Sequence, residues 1–211
     1  MAAATPLATD VFFDELTTEL LKLRVLAQQR FRPLSEQQLN RRHSPSRWSV
    51  GQCLEHLNIV GGHYLPEMRA RLDRAQARKT SPAPLIKRGV FGARLVAQMR
   101  SSAAEKPLVS SQRYAPTGNR LPRTVAEVFS RQLDELLRLV LQARQVDANA
   151  VRIPNPLVPL LVRLRLPDTL EFLVAHIQRH VRQAEAVLAA MPPAAPGRED
   201  GGTAAADAGE E

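Results

Sequence analysis

Four long stretches of this chain repeat apolar side chains at three- and four-residue spacing, and this rhythm constrains the fold more than any other feature. Such spacing places the apolar side chains on one face of an α-helix. The predicted helices cover residues 9–32, 49–78, 124–145 and 168–190. No stretch shows the apolar–polar alternation that is typical of a half-buried strand. Amphipathic helices without a sheet bury their apolar faces against one another, so we predict an all-α four-helix bundle.

The starts of these helices carry recognisable capping signals. A capping box pairs a Ser or Thr with a Gln or Glu three residues later, and two of the predicted helices open with one. The two pairs are Ser49 with Gln52 and Thr124 with Glu127. Trp48 precedes the first box, and we expect its ring to pack onto Cys53 one turn into the helix. Asp168 or Thr169 is expected to cap the last helix.

Two regions lack helical rhythm. Residues 79–123 are rich in Pro, Ser and Lys, and we interpret them as a long irregular insertion with a short helix at Phe91–Met99. A connection of this length usually serves as a lid or a pocket wall. Residues 192–211 are Ala, Gly, Pro and acids, so we predict a disordered acidic tail. The predicted division of the chain is a flexible N-terminus at 1–8, one domain at 9–191 and the tail at 192–211.

Several bulk features limit where such a protein works. The sequence has no apolar run long enough for a membrane span, which needs about 18 or more residues. Its N-terminus lacks the basic start and continuous apolar stretch of a secretory signal. Cys53 is the single cysteine, so no intrachain disulfide can form. Together these features predict a cytoplasmic protein.

The formal net charge is +8, which raises the question of nucleic acid. The basic residues are mostly single arginines spread over polar helix faces. Aromatic residues, which would stack on bases, make up 4% of the chain. We therefore expect neither nucleic acid nor a membrane as the main partner.

Three histidines form the strongest functional signal. His176 and His180 are four residues apart and project from one face of the last predicted helix. Apolar residues share that face, whereas Arg179 and Arg182 are expected toward the opposite one. His56 is expected on the core side of the second helix. Buried imidazoles need a partner for each ring nitrogen, and three of them form a divalent-metal site with open coordination positions. The alternative is that these are ordinary half-buried or surface histidines.

Other polar residues near this pattern have weaker roles. His43 lies in a polar loop and is expected to be solvated. His63 follows His56 on the same helix face but lies about 10 Å further along the axis, too far for the same ion. We expect it to line the pocket or hydrogen-bond to a ligand. Gln52 and Gln183 are candidates for orienting the histidines by hydrogen bonds, with helix capping as the alternative.

Two segments of the chain resemble the DinB-like superfamily of four-helix-bundle proteins. The first segment is LSEQQLNRRHSPSRWSVGQCLEHLNIVGGHYLP, which has a short helix with leucine, then a proline, a Trp–Ser start and a His–Leu pair. The matching residues are Leu39, Pro45, Trp48–Ser49 and His56–Leu57. The second segment, LEFLVAHIQRHVRQ, resembles the other family signature through His176, His180 and Gln183. The resemblance covers roughly residues 10–190.

This resemblance implies a divalent ion, typically zinc or nickel, held by His56, His176 and His180. It also implies chemistry with a low-molecular-weight thiol, because some relatives transfer bacillithiol and others isomerise maleylpyruvate with mycothiol. The hypothesis is therefore a metal-dependent thiol S-transferase or hydrolase acting on a small molecule. Two alternatives are a non-catalytic metal- or ligand-binding bundle and, less favoured, a DNA-associated stress protein. A homodimer is expected through an exposed helix face.

Overall fold

Helices dominate the computed structural model of the chain, which describes residues 6–45, 47–100, 112–155 and 163–190. The predicted tail at 192–211 lies outside the described residues, as do residues 1–5 of the predicted flexible N-terminus. The predicted division of the chain into 1–8, 9–191 and 192–211 therefore stays a prediction.

The four long helices predicted from the sequence are present. In chain order the helices are α1 (Thr9–Leu26), α2 (Glu36–Asn40), α3 (Val50–Ala77), α4 (Val90–Arg100), α5 (Thr124–Ala143) and α6 (Leu166–Ala189). A π-helical turn at Ala27–Phe31 continues α1, and a 3₁₀ turn lies at Gln112–Tyr114. The predicted helical character of the chain is confirmed, with helix ends close to the expected residues.

The apolar faces of the long helices meet in one core. α3 packs on α5 and α6, and α1 packs on the same two helices. Fully buried side chains from all of the long helices fill the space between them, among them Phe12, Leu54, Met68, Phe129, Leu133 and Leu170. Each such side chain contributes roughly 1.5–3 kcal/mol by leaving water. Within the described residues, no helix is both long enough and apolar enough to cross a membrane.

Two short antiparallel sheets were not predicted, so the expectation of no strands was wrong. β1 (Leu7–Ala8) pairs with β2 (Leu85–Ile86), and β3 (Arg152–Pro154) pairs with β4 (Arg163–Arg165). Strands of two or three residues are too short to show an alternation in sequence. The first sheet ties the start of α1 to the insertion, and the second leads the chain directly into α6.

The capping predictions had mixed outcomes. The box at α3 is confirmed: Gln52 N donates to Ser49 Oγ at 3.2 Å, and Ser49 N donates to Gln52 Oε1 at 3.1 Å. The cap predicted at Thr124 is wrong, because Thr124 is the first residue inside α5 and no side chain caps that helix.

The cap predicted at Asp168 or Thr169 is also wrong. α6 begins two residues earlier, at Leu166, with Pro167 in its first turn. Proline is favoured there because the first helical N–H groups have no partner inside the helix. Asp168 is therefore free for a different contact, described below.

The insertion between α3 and α5 contains the expected short helix. α4 packs on α6, with Val96 and Met99 against Phe172 and Ala175. Residues 101–111 of the insertion lie outside the described residues. The part that follows, from the 3₁₀ turn to the start of α5, lies against α3 and contacts His56 through the Tyr114 carbonyl. The predicted role of the insertion as a lid or a pocket wall stays a prediction.

Candidate metal centre

α3 and α6 bring the three predicted histidines together. His56 lies in the second turn of α3, and the four-residue spacing on α6 presents His176 and His180 toward it. One nitrogen from each ring lies within 4.8 Å of the other two. The closest pair is His56 Nε2 and His176 Nε2, at 3.1 Å. Distant parts of the sequence therefore converge on one point in the core.

The three rings are buried, and their polar atoms are incompletely satisfied. His56 is 5% exposed, and His176 and His180 are each 8% exposed. His56 Nδ1 donates to the carbonyl oxygen of Tyr114 at 2.6 Å. Among the described residues, Nδ1 of His176 and Nδ1 of His180 have no hydrogen-bond partner. An unmatched buried polar atom costs about 1–3 kcal/mol, so the cluster is incomplete as a purely internal network.

The environment keeps all three imidazoles uncharged. Burial lowers the pKa of His56, and the hydrogen bond to Tyr114 only partly offsets this effect. Burial and the nearby His180 and His56 rings lower the pKa of His176 well below its usual value. Burial lowers the pKa of His180 to about 3, and the nearby His56 ring is the second largest cause of this shift. The neutral imidazole is the form that binds a metal ion, so the site is prepared for one at neutral pH.

The arrangement fits a divalent ion. The Tyr114 carbonyl only accepts, so the proton of His56 is on Nδ1 and its Nε2 presents a lone pair toward His176 Nε2, within hydrogen-bond distance. Two nitrogens bound to one ion at about 2.0–2.1 Å lie roughly 3.0–3.4 Å apart, and the two Nε2 atoms are 3.1 Å apart. Three neutral nitrogen donors suit zinc or nickel and leave coordination positions open.

Residues around His56 hold the segment that supplies the Tyr114 carbonyl. Besides capping α3, Gln52 donates from Nε2 to the Gly118 carbonyl at 3.1 Å. The carboxylate of Glu55 accepts from the backbone N of Thr117 at 3.0 Å and from its hydroxyl at 2.7 Å. Gln52 was predicted to orient a histidine by a hydrogen bond. It instead contacts Gly118, in the segment whose Tyr114 carbonyl orients His56.

The other predicted polar residues take different places. Gln183 lies beside the His180 imidazole, where it partly offsets the lowering of the His180 pKa. His63 is exposed and does not join the three-histidine group; its ring lies edge-on to Tyr114, with the centroids 5.3 Å apart. Arg182 is exposed as predicted, but Arg179 is 4% exposed, so its expected position away from the core was wrong.

Sequence reasoning missed the aromatic rings that enclose the site. Trp48, expected to pack at the helix cap, lies against two ligand candidates: its ring is 5.1 Å from the His56 ring and stacks at 5.7 Å on His180. Phe172 stacks on His176 at 5.7 Å with an interplanar angle of 14°. The spacing of Phe172 one turn before His176 was a usable signal. The role of Tyr114 could not be predicted from the sequence, because every residue has a backbone carbonyl oxygen.

A second buried polar cluster lies one to two turns earlier on α6. Both carboxylate oxygens of Asp168 accept from the backbone N of Gly89, at 3.0 and 3.1 Å. Arg88 donates from two nitrogens to the two oxygens of Glu171, at 2.8 and 3.1 Å. Burial raises the pKa of the Asp168 carboxyl, and the Gly89 amide partly offsets this rise. This cluster fastens the start of α4 to α6.

Comparison with known protein families identifies a match. The sequence model of the DinB superfamily matches residues 19–184, a range that contains all three histidines. Neither a curated protein nor a solved structure matches the chain.

Proposed function

Because the chain belongs to the DinB superfamily, we propose that it is a divalent-metal-dependent enzyme whose ion is held by His56, His176 and His180. The proposal rests on one observation above all. One nitrogen from each of three buried imidazoles lies within 4.8 Å of the other two, and the Nε2 atoms of His56 and His176 are 3.1 Å apart. We also interpret the four long helices as the four-helix bundle of this family.

The proposed reaction is either the transfer of a low-molecular-weight thiol to a small-molecule substrate or the hydrolysis of such a substrate. A zinc or nickel ion in such a site makes a water molecule or a thiol nucleophilic at neutral pH by lowering its pKa. The three histidines are at most 8% exposed, so the site admits a small molecule rather than a macromolecular chain. This burial favours an enzyme over a DNA-associated protein.

The residues of the chain have distinct tasks in this proposal. The Tyr114 carbonyl fixes the ring orientation of His56 and the position of its proton, which leaves Nε2 as the donor atom. Trp48 and Phe172 cover the imidazoles and keep water away from them. A dry site strengthens every electrostatic interaction within it.

The test is the metal content of protein that has been purified without a histidine tag. We expect about one zinc or nickel ion per chain in the wild type and little in His176→Ala. His43→Ala is the matched control, because His43 is an exposed histidine outside the cluster. Wild-type protein that stays free of metal after incubation with zinc and with nickel would falsify the proposal.

A second measurement separates an enzyme from a binding module. Metal-loaded protein is supplied with bacillithiol, mycothiol or glutathione and a chromogenic aryl chloride, and in parallel with a chromogenic ester. Turnover that disappears in His176→Ala and persists in His43→Ala supports the enzyme. A full complement of metal without turnover in any of these assays favours a binding module.

A further inference from the structure

Two loop segments beside the metal centre are rich in arginine and contain no acidic residue. The segments cover residues 40–48 and 113–123. All of their arginines are exposed, and we call this group the arginine rim: Arg41, Arg42, Arg47, Arg113, Arg120 and Arg123. Within the described part of the chain, none of these guanidinium groups forms an ion pair.

Hydrogen bonds join the two segments into one surface. The side chain of Asn40 donates to the Leu121 carbonyl at 2.9 Å and accepts from the Leu121 backbone N at 2.7 Å. Arg42 donates from Nη2 to Oδ1 of Asn119 at 2.5 Å. Among the described residues, Glu55 supplies the one carboxylate that hydrogen-bonds to either segment. Positive charge on this surface is therefore in large excess.

Both segments run directly to His56. Trp48 follows Arg47 in the chain, is half-buried, and has its ring 5.1 Å from that of His56. Tyr114 follows Arg113 and accepts from His56 Nδ1 through its carbonyl oxygen. The Arg113 guanidinium lies 5.9 Å from the centre of the Tyr114 ring. The arginine rim therefore borders the histidine cluster through two separate parts of the chain.

This placement has an electrostatic consequence. Exposed charges of one sign near a site raise the local concentration of oppositely charged molecules and speed their arrival. The histidines are at most 8% exposed, so a small anion suits the site better than a nucleic acid. The aromatic rings of the two segments, those of Trp48 and Tyr114, pack against other rings of the protein, which leaves no stacking platform for bases.

We propose that the arginine rim selects a negatively charged substrate. One end of this small molecule enters the histidine cluster, and an oxyanion group such as a carboxylate at its other end stays at the rim. Guanidinium groups bind such oxyanions through paired N–H donors. This inference rests on the proposed function and deepens it, since it assigns a charge to the substrate class.

Three six-carbon thiols test this selection, because they share one metal-binding group and differ in the charge at the other end. They are mercaptohexanoate, mercaptohexanol and aminohexanethiol, which are anionic, neutral and cationic at neutral pH. Each is titrated at low salt into the protein loaded with cobalt, and the thiolate-to-cobalt absorption band gives the dissociation constant. We expect the anionic thiol to bind about tenfold more tightly than the cationic thiol.

The double variant Arg47→Gln with Arg113→Gln removes the two rim charges next to the residues that contact His56. It should lower the ratio of the two affinities about fivefold and leave the affinity for the neutral thiol within about twofold. Arg74→Gln with Arg78→Gln is the matched control, since it removes two exposed charges roughly 27 Å or more further along α3. The control should keep the wild-type ratio. Sodium chloride at about 0.5 M should abolish the ratio by screening.

The outcomes distinguish the two proposals. Wild-type protein that binds no cobalt removes the metal site and this inference with it. Cobalt-loaded protein that binds none of the thiols or binds all three equally, or a rim variant with an unchanged ratio, overturns the inference alone and leaves the metal site standing.

A fluorescein-labelled single-stranded oligonucleotide, followed by fluorescence anisotropy, tests the other use of such a surface. Oligonucleotide binding that depends on the rim, together with equal affinities for the three thiols, would assign the rim to nucleic acid and overturn the inference.

Discussion

Helix α6 carries two buried polar clusters, and only one of them is complete. Near its start, Asp168 and Glu171 accept from Gly89 and Arg88 through all four carboxylate oxygens. In its middle, His176 and His180 each keep a buried Nδ1 without a partner. The two clusters share a helix and a similar degree of burial, and they differ in whether the chain itself supplies the partners.

This difference distinguishes a cluster that holds two helices together from a cluster that is a candidate binding site. Burying a polar group is tolerable when the fold provides its hydrogen bonds. The carboxylate cluster meets that condition and has a mechanical result, the docking of α4. The histidine cluster does not fully meet it, and this supports our proposal that the cluster binds an ion. The carboxylate cluster, whose oxygens all have partners, gives no such support.

The largest expected effect is that of metal binding at the histidine cluster. Zinc added to the metal-free protein at about a thousand times its dissociation constant should stabilise the fold by about 4 kcal/mol. His180→Ala should lose this stabilisation, whereas Glu171→Gln should keep it, because Glu171 belongs to the complete cluster. Thermal unfolding with and without zinc measures the difference. Equal stabilisation of all three proteins would break the comparison.

Apolar substitution should have opposite signs in the two clusters. Glu171→Leu leaves the half-buried Arg88 without its carboxylate and should destabilise the protein by about 3 kcal/mol. His180→Leu removes an unmatched buried Nδ1 and should stabilise the metal-free protein by about 1 kcal/mol. Urea unfolding of both metal-free variants gives the two values. A loss of stability in His180→Leu would mean that its ring is already satisfied.

Acid should weaken the metal-free protein through the histidines. Their pKa values are lowered in the folded state, so the unfolded chain takes up more protons once the pH falls below about 6.5. Stability should then fall by about 1.4 kcal/mol per pH unit for each imidazole involved. Asp168 acts in the opposite direction, since its raised pKa makes the folded state take up a proton first as the pH approaches 4.

Unfolding midpoints in urea between pH 7 and pH 5 measure this effect. The double variant His176→Leu with His180→Leu is the control and should show a flatter profile. A wild-type profile as flat as that of the double variant would contradict the lowered pKa values.

The smallest expected effect concerns the fit between α4 and α6. A Cβ at Gly92 would lie 2.4 Å from Cβ and Cγ of Asp168, so Gly92→Ala should destabilise the protein by about 1–2 kcal/mol. Gly62→Ala is the matched control in α3, where a Cβ meets nothing within 4 Å. It should instead stabilise the helix by up to about 1 kcal/mol. Differential scanning calorimetry measures the stability of the two variants. Equal effects would show that α4 shifts on α6 to accommodate the added methyl group at little cost.

The sequence predicted what depends on local spacing. The interval from His176 to His180 placed both rings on one face, and the capping box of Ser49 with Gln52 placed the start of α3, which in turn fixed the phase of His56. In a regular helix the spacing between two residues determines whether their side chains lie on the same face. These predictions therefore needed no knowledge of the rest of the fold.

The sequence could not predict contacts between distant segments. Asp168 looked like a helix cap, but its partner Gly89 is 79 residues away and donates through its backbone. Tyr114 orients His56 with a carbonyl oxygen that every residue possesses. Arg179 looked exposed on the helical wheel and is buried by surroundings that the wheel does not contain. For Asp168 and Tyr114 the missing information was the path of the insertion across the helices.

The stacking of Trp48 on the histidines has a practical consequence. Since the chain has one tryptophan, all of its indole emission originates beside His56 and His180. A paramagnetic cation such as nickel or copper quenches an excited indole at this range, whereas zinc does not quench by that route. The unlabelled protein is therefore its own optical reporter of site occupancy, and a fluorescence titration of a few micrograms can rank cations before any substrate is known.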